Sequence, residues 1–211
     1  MVHEQGYGVR SVEGGEPVDT ETVFQIASLS KPVSSTVVAG LVGRGVLEWE
    51  DPVREHAPEL QLSDEWVSDH VTFADLFAHR SGLPGGPAGN DLESVGYDRD
   101  TILERLALVP LEGFRDTYSY SNWGLTMSGQ AAAVAAGWDS KTVADIEALF
   151  EPAGMDHTSM RHDDFVAEDN RAELHVPGGE GEWVADFERD PAAQAPAGGV
   201  SSNVGDLARW V

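Results

Sequence analysis

Ser28 and Lys31, within Ser28-Leu29-Ser30-Lys31, set a hydroxyl and an amine three residues apart. On a helix, side chains at that spacing share a face. A serine hydroxyl attacks a carbonyl only when a neighbouring base takes its proton. An amine serves as that base only when its pKa, about 10.4 in free lysine, is drawn well down. Lysine can be tuned in this way and arginine cannot. Read alone, Ser28 is equally an ordinary helix N-cap, so the weight of the pair rests on its surroundings and on what lies downstream.

The elements that must position the pair are legible around it. Val23-Phe24-Gln25-Ile26 is short, apolar and β-prone, whereas Val33, Val37, Val38, Leu41 and Val42 recur at helical spacing until Gly43 and Gly45. Ser28 therefore falls at a strand-to-helix junction. Pro32 has no N–H, which costs little only in a first turn, so the helix must begin close to Ser28. The hydroxyl then lies near the positive end of a helix.

Net charge bounds the partners. The chain of 211 residues carries 37 Asp and Glu against 13 Lys and Arg, for a formal charge of -24. Nucleic acid and anionic membrane are both repelled by such a surface. Only Lys31 and Lys141 are lysines, and this acidic, arginine-rich balance suggests a protein adapted to high salt, where screening relieves self-repulsion. With no cysteine, thiolate catalysis and Cys-type zinc sites are excluded. His157, His162, Asp163, Asp164 and His175 have the spacing of no zinc or calcium pattern and read as solvated surface, so neither metal nor cofactor is expected. There is no Gly-rich phosphate loop and no G-x-S-x-G elbow. No run reaches transmembrane length, and Met1 to Gln5 show no basic segment leading into an apolar one, so a cytoplasmic location is expected.

Along the chain, Gly6 to Val18 suggest a hairpin turning at Glu13-Gly14-Gly15. Thr72 with Asp75 forms a plausible capping box for a short helix through Ala78. Asp100 reads as the cap of a helix carrying Ile102, Leu103, Leu106 and Val109 up to Pro110. Helices are expected from about Trp123 to Ala136 and from about Thr142 to Phe150, the latter closed by Pro152. Trp183, Ala185 and Phe187 alternate as a strand does. Asn203 and Asp206 open a last helix that leaves Trp210 without an evident place, which reads as a polypeptide cut short.

Ser28-Leu29-Ser30-Lys31 and Tyr120-Ser121-Asn122 resemble the first two motifs of the serine β-lactamase and penicillin-binding protein superfamily. The Y-x-N form is similar to its class C branch, which also holds D-alanyl-D-alanine peptidases and esterases. Gly6 to Val9, Val71 to Pro84 with His79-Arg80-Ser81-Gly82-Leu83, Glu151 to Ser159, and Pro196-Ala197-Gly198-Gly199 extend the likeness over nearly the whole chain. The resemblance implies an α+β, β-lactamase/transpeptidase-like fold, here one partial domain over 1–211 with an incomplete antiparallel sheet. It implies that Ser28 attacks a carbonyl and forms an acyl-enzyme, that Tyr120 and Lys31 share the proton, and that Asn122 holds the lysine and the substrate amide. On their own, Tyr120 reads as a half-buried tyrosine and Asn122 as an N-cap. Tyr118 lacks an asparagine two residues on. His79 has no partner nameable from sequence and is read as structural.

The family's third motif, K-T-G or H-x-G, has no counterpart here. Lys141-Thr142-Val143 precedes rather than follows the Pro196 to Gly199 stretch and sits at a helix start, so it reads as surface. The strand after that motif supplies one of two oxyanion donors in the family, and one such donor is typically worth about 3 to 4 kcal/mol. Two readings follow. One is a serine hydrolase acting through an acyl-enzyme on an amide or ester, whether a β-lactam, a D-amino-acid peptide or a small ester, of open oligomeric state. The other is a non-catalytic scaffold needing further strands or a partner chain. The acidity of the chain works against the first by stabilising a protonated Lys31, a field that burial must overcome.

Overall fold

The computed structural model describes residues 3–86, 88–138 and 147–211. The hairpin expected over Gly6 to Val18 is reduced to one bridge between Val9 and Pro17, with the Val18 N–H donating to the Gly8 carbonyl at 3.0 Å. Pro17 has no N–H to extend a ladder. Next come strand β1 (Phe24–Gln25), a 3-10 turn over Ala27–Leu29 and helix α1 (Ser30–Gly43). Pro32 falls in the first turn of α1, as its missing donor requires.

Short helices α2 (Val53–His56), α3 (Glu65–His70) and α4 (Phe73–Phe77) follow. The capping box is present at α4: the Asp75 N–H donates to Thr72 Oγ1, and the Thr72 N–H donates to the Asp75 carboxylate. After α5 (Asn90–Ser94), helix α6 (Arg99–Arg105) is capped by Asp98, not Asp100. The Asp98 carboxylate takes the Thr101 N–H at 2.8 Å, which leaves Asp100 in the first turn, where its charge still suits the helix dipole. Similarly, α7 (Asn122–Ala135) is capped by Ser121, whose Oγ accepts the Gly124 N–H at 3.1 Å. Asn122 is thus a helical residue rather than an N-cap.

The expected helix from Thr142 is described from Glu147 onward as α8 (Glu147–Ala153), and residues 142–146 and Lys141 lie outside the described residues. Pro152 does not close α8 but lies inside it, one residue before its end, and removes one intrahelical donor there. Helix α9 (His162–Ala167) leads to an antiparallel pair, β2 (Leu174–Pro177) and β3 (Trp183–Phe187). Then come α10 (Ala195–Gly198), β4 (Ser201–Ser202) and α11 (Val204–Trp210), capped by Asn203. β4 pairs antiparallel with β1, placing Phe24 opposite Ser202 and Gln25 opposite Ser201. Among the described residues, strand is confined to these two small sheets, and no helix is long and apolar enough to cross a membrane.

Helix α1 is the shared wall of two apolar clusters. On one side Val38 and Leu41 join Phe73, Leu76, Ile102, Trp123 and Met127. On the other, Val33 joins Phe150, Met155, Met160, Ala195 and Val200. Trp210 is not left over: it packs beside this second cluster, and its indole N–H donates to Thr36 Oγ1 of α1 at 3.1 Å. Burial of these side chains, at about 1.5 to 3 kcal/mol each, fixes α1 against α7 and α10. Gly129 makes the α7–α10 approach possible, because a Cβ there would come within 2.8 Å of Pro196 Cβ.

Candidate active site

The chain reverses into α1 through Ala27, whose φ of 47° lies in the left-handed region that a non-glycine residue enters at a cost of roughly 1 to 2 kcal/mol. Ser30 holds this turn. Its fully buried hydroxyl donates to the Ala27 carbonyl at 2.6 Å and accepts the Val200 N–H at 2.9 Å. The backbone on either side of Ser28 is thereby tied to the strand region, and the exposed Ser28 side chain is presented at the helix start.

Ser28, Lys31 and Tyr120 come together. Ser28 Oγ lies 2.8 Å from Tyr120 Oη and 3.1 Å from Lys31 Nζ. Lys31 is buried, donates also to the Ala197 carbonyl at 2.7 Å, and sits over the Tyr120 ring, 4.7 Å from its centroid. Burial draws the Lys31 pKa below its ordinary value. The hydrogen bond and charge of the Tyr120 hydroxyl oppose this shift, and nearby Arg189 adds to it. Burial therefore outweighs the opposing pull of the Tyr120 hydroxyl at this nitrogen.

Asn122 lies in the same site but does not hold the lysine. Its amide nitrogen reaches Asn90 Oδ1 at 3.4 Å, and the lysine is anchored by Ala197 instead. Among the described residues, buried Asn122 Oδ1 has no hydrogen-bond partner. Both residues of the Tyr120-Ser121-Asn122 stretch are set by Ser121, which caps α7 between them.

Three contributors were not legible in the sequence as site residues. His79 is buried, at a φ of 58°, with its ring 4.6 Å from that of Tyr120. Its Nδ1 accepts the Ser121 N–H at 3.1 Å, so the proton of the neutral ring is on Nε2. Its carbonyl takes the Ser119 N–H at 2.9 Å, and its pKa is lowered by burial and by the Lys31 charge. Ser34 donates to the Pro196 carbonyl at 2.7 Å, one turn along α1 from the Lys31 to Ala197 bond. The signal available for Ser30 and Ser34 was their placement on the buried face of an otherwise apolar helix; for His79 it was its place in the His79-Arg80-Ser81-Gly82-Leu83 stretch of the family likeness, which named no partner. Tyr118, by contrast, is exposed and meets only the edge of His79.

The histidines and aspartates considered as ligands are dispersed into separate contacts. His175 Nε2 accepts the Val12 N–H, His162 meets Gln25, Asp164 pairs with Arg161, and His157 lies between Glu21 and Glu168. No group of three or more potential metal ligands forms among the described residues.

The beta-lactamase family model matches residues 1–211. The chain belongs to this family. Penicillin-binding protein 4 of Amycolatopsis lactamdurans is 29% identical over 99% of this chain and 55% of its own length. Among solved structures, the octameric penicillin-binding protein homologue from Pyrococcus abyssi superimposes with a TM-score of 0.82 at 24% identity, covering 99% of this chain and 48% of that one. A class C beta lactamase gives 0.74 at 24% identity, with 97% and 54% covered. The beta-lactamase/transpeptidase-like fold is thus shared, and the chain spans about half the length of these relatives.

Proposed function

We propose that the chain is a serine hydrolase acting through an acyl-enzyme on an amide or ester carbonyl of a small molecule or peptide. The observation that carries this reading is the placement of Ser28 Oγ between Tyr120 Oη and Lys31 Nζ, both within hydrogen-bonding reach. In the acylation step the Ser28 oxygen bonds to the carbonyl carbon as its proton passes to the Tyr120–Lys31 pair. The pair then protonates the departing amine or alcohol as the bond to it breaks. Water attacks the acyl-enzyme by the reverse assignment of the same groups. Because phenol and amine are coupled, the apparent pKa of the base belongs to the pair. Asn122 Oδ1 would accept the substrate amide N–H, and the Ser28 N–H would donate to the developing oxyanion.

A non-catalytic chain with the family's fold is the second reading. It is favoured by one observation: among the described residues the sheet beside Ser28 consists of two strands of two residues each. Turnover separates the two. With nitrocefin and p-nitrophenyl esters offered at high salt, the hydrolase reading expects product release that disappears in Ser28→Ala. Release equal in the two proteins, or none from folded wild type, supports the scaffold.

A further inference from the structure

A cleft of about 230 Å³ opens beside Ser28, and its walls include Gln25, Asn122, Phe187, Arg189 and Gln194. In a chain where more than one residue in six is acidic, no carboxylate among the described residues lines this cleft, and Arg189 is the cation among them that does. We infer that Arg189 forms a carboxylate-recognising subsite in this cleft, so that preferred substrates carry an anionic group on the acyl side of the reacting bond. The inference rests on the hydrolase reading for the word "acyl" and on the cleft alone for the charge.

The side follows from which groups face the cleft. Tyr120 and Lys31, which protonate the leaving group in the mechanism above, do not line it, whereas Ser28 and Asn122 do. The portion of a substrate retained on Ser28 therefore occupies the Arg189 side. Phe187 and Leu174 offer apolar surface for a short chain between the carbonyl and its charge.

Arg189 is positioned but lightly committed. Its backbone carbonyl accepts from Gln25 Nε2 at 3.0 Å, which fixes the loop against β1. Among the described residues, its half-exposed guanidinium has one ion pair, at 3.4 Å to Glu93 Oε2. That oxygen also receives the Gln194 amide, and the other Glu93 oxygen is buried without a partner among the described residues. Burial raises the pKa of Glu93, and the Gln194 amide and the Arg189 guanidinium oppose the rise. The Asp190 carboxylate is occupied by the Ala192 N–H at 2.9 Å. A five-donor guanidinium held through one long contact retains donors for a bidentate carboxylate.

The test compares mono-p-nitrophenyl adipate with its methyl ester, identical chains in which the charge is present or masked. In wild type the ratio of kcat/KM values should favour the anion by about ten-fold. Arg189→Gln should bring that ratio near unity and Arg189→Glu should invert it. Glu93→Gln, which releases the loop contact but keeps the cation, should preserve or raise the ratio; a merely structural ion pair would instead lower it together with Arg189→Gln. Binding of the matching p-nitroanilides to Ser28→Ala, read by calorimetry, gives the same comparison without turnover. Preference for the anion there, lost on adding Arg189→Gln, supports the subsite even if no ester is hydrolysed, an outcome that would count against the hydrolase reading alone. Equal turnover and equal binding of charged and masked forms by wild type, or a preference unchanged in Arg189→Gln, overturns the subsite.

Discussion

The imidazole of His79 and the phenol of Tyr120 lie against each other, 4.6 Å between ring centroids and tilted by 34°, while the same imidazole accepts the N–H of Ser121. One buried side chain thus packs on the ring of Tyr120, which bonds Ser28, and holds the backbone N–H of the next residue, Ser121. In the proposed reaction His79 would act only through Tyr120, as a positioning residue. Nitrogen-15 NMR should show its Nε2–H tautomer persisting below pH 6.5, since burial and the Lys31 charge lower its pKa. The unfolded chain takes this proton first, so stability should fall as pH drops through about 6.5 and level off below the folded-state value. In His79→Gln this pH-dependent component should vanish.

Removing the phenol oxygen alone tests its part in proton transfer. Tyr120 is partly exposed, and Tyr120→Phe keeps the ring over which Lys31 sits, so the thermal midpoint should move little. Acylation of Ser28 should slow by about 10² to 10⁴-fold, the range typical of a lost general acid or base. Stopped-flow acylation with an activated ester reads this directly, and an unchanged rate would remove Tyr120 from the mechanism.

Ser30 should matter to stability rather than to chemistry. Ser30→Ala leaves the buried Val200 N–H without its acceptor and frees the strained Ala27 carbonyl. The loss should be about 1 to 3 kcal/mol in urea unfolding. Gly129→Ala should cost a comparable amount, about 1 to 3 kcal/mol, by forcing α7 from Pro196.

Salt should stabilise the chain. At a net charge of -24, self-repulsion is felt over about 10 Å at 0.1 M salt and over about 3 Å at 1 M. The thermal midpoint should rise between those concentrations with potassium chloride, and a flat or falling midpoint would contradict adaptation to high salt. Exposed pairs such as Arg161–Asp164 weaken over the same range, but each contributes under about 1 kcal/mol.

What could be read from the sequence was local. The Thr72–Asp75 and Asn203–Asp206 caps, the start of α1 near Ser28 and the strand at β3 depend on residues a few positions apart, and the structure has each of them, although burial along β3 does not alternate. Where two candidate caps adjoin, as Asp98 with Asp100 or Ser121 with Asn122, composition cannot choose, because the backbone angle decides which side chain can reach back. The site depends on distant contacts. Lys31 finds Ala197 at a separation of 166 residues, and Ser28 finds Tyr120 across 92. Only the resemblance joined Ser28 to Tyr120, and it carried nothing about His79 and Tyr120, or Asn122 and Asn90, because those contacts are set by how α4, α5 and α7 pack.

Exposure of the folded protein to a fluorophosphonate, followed by intact mass and peptide mapping, tests the assignment of Ser28 as nucleophile most directly. A single phosphonyl adduct on the peptide containing Ser28, absent in Ser28→Ala and formed more slowly in Tyr120→Phe, is the predicted result. Folded protein that takes up no label at high salt, or that is labelled equally in Ser28→Ala, would contradict it.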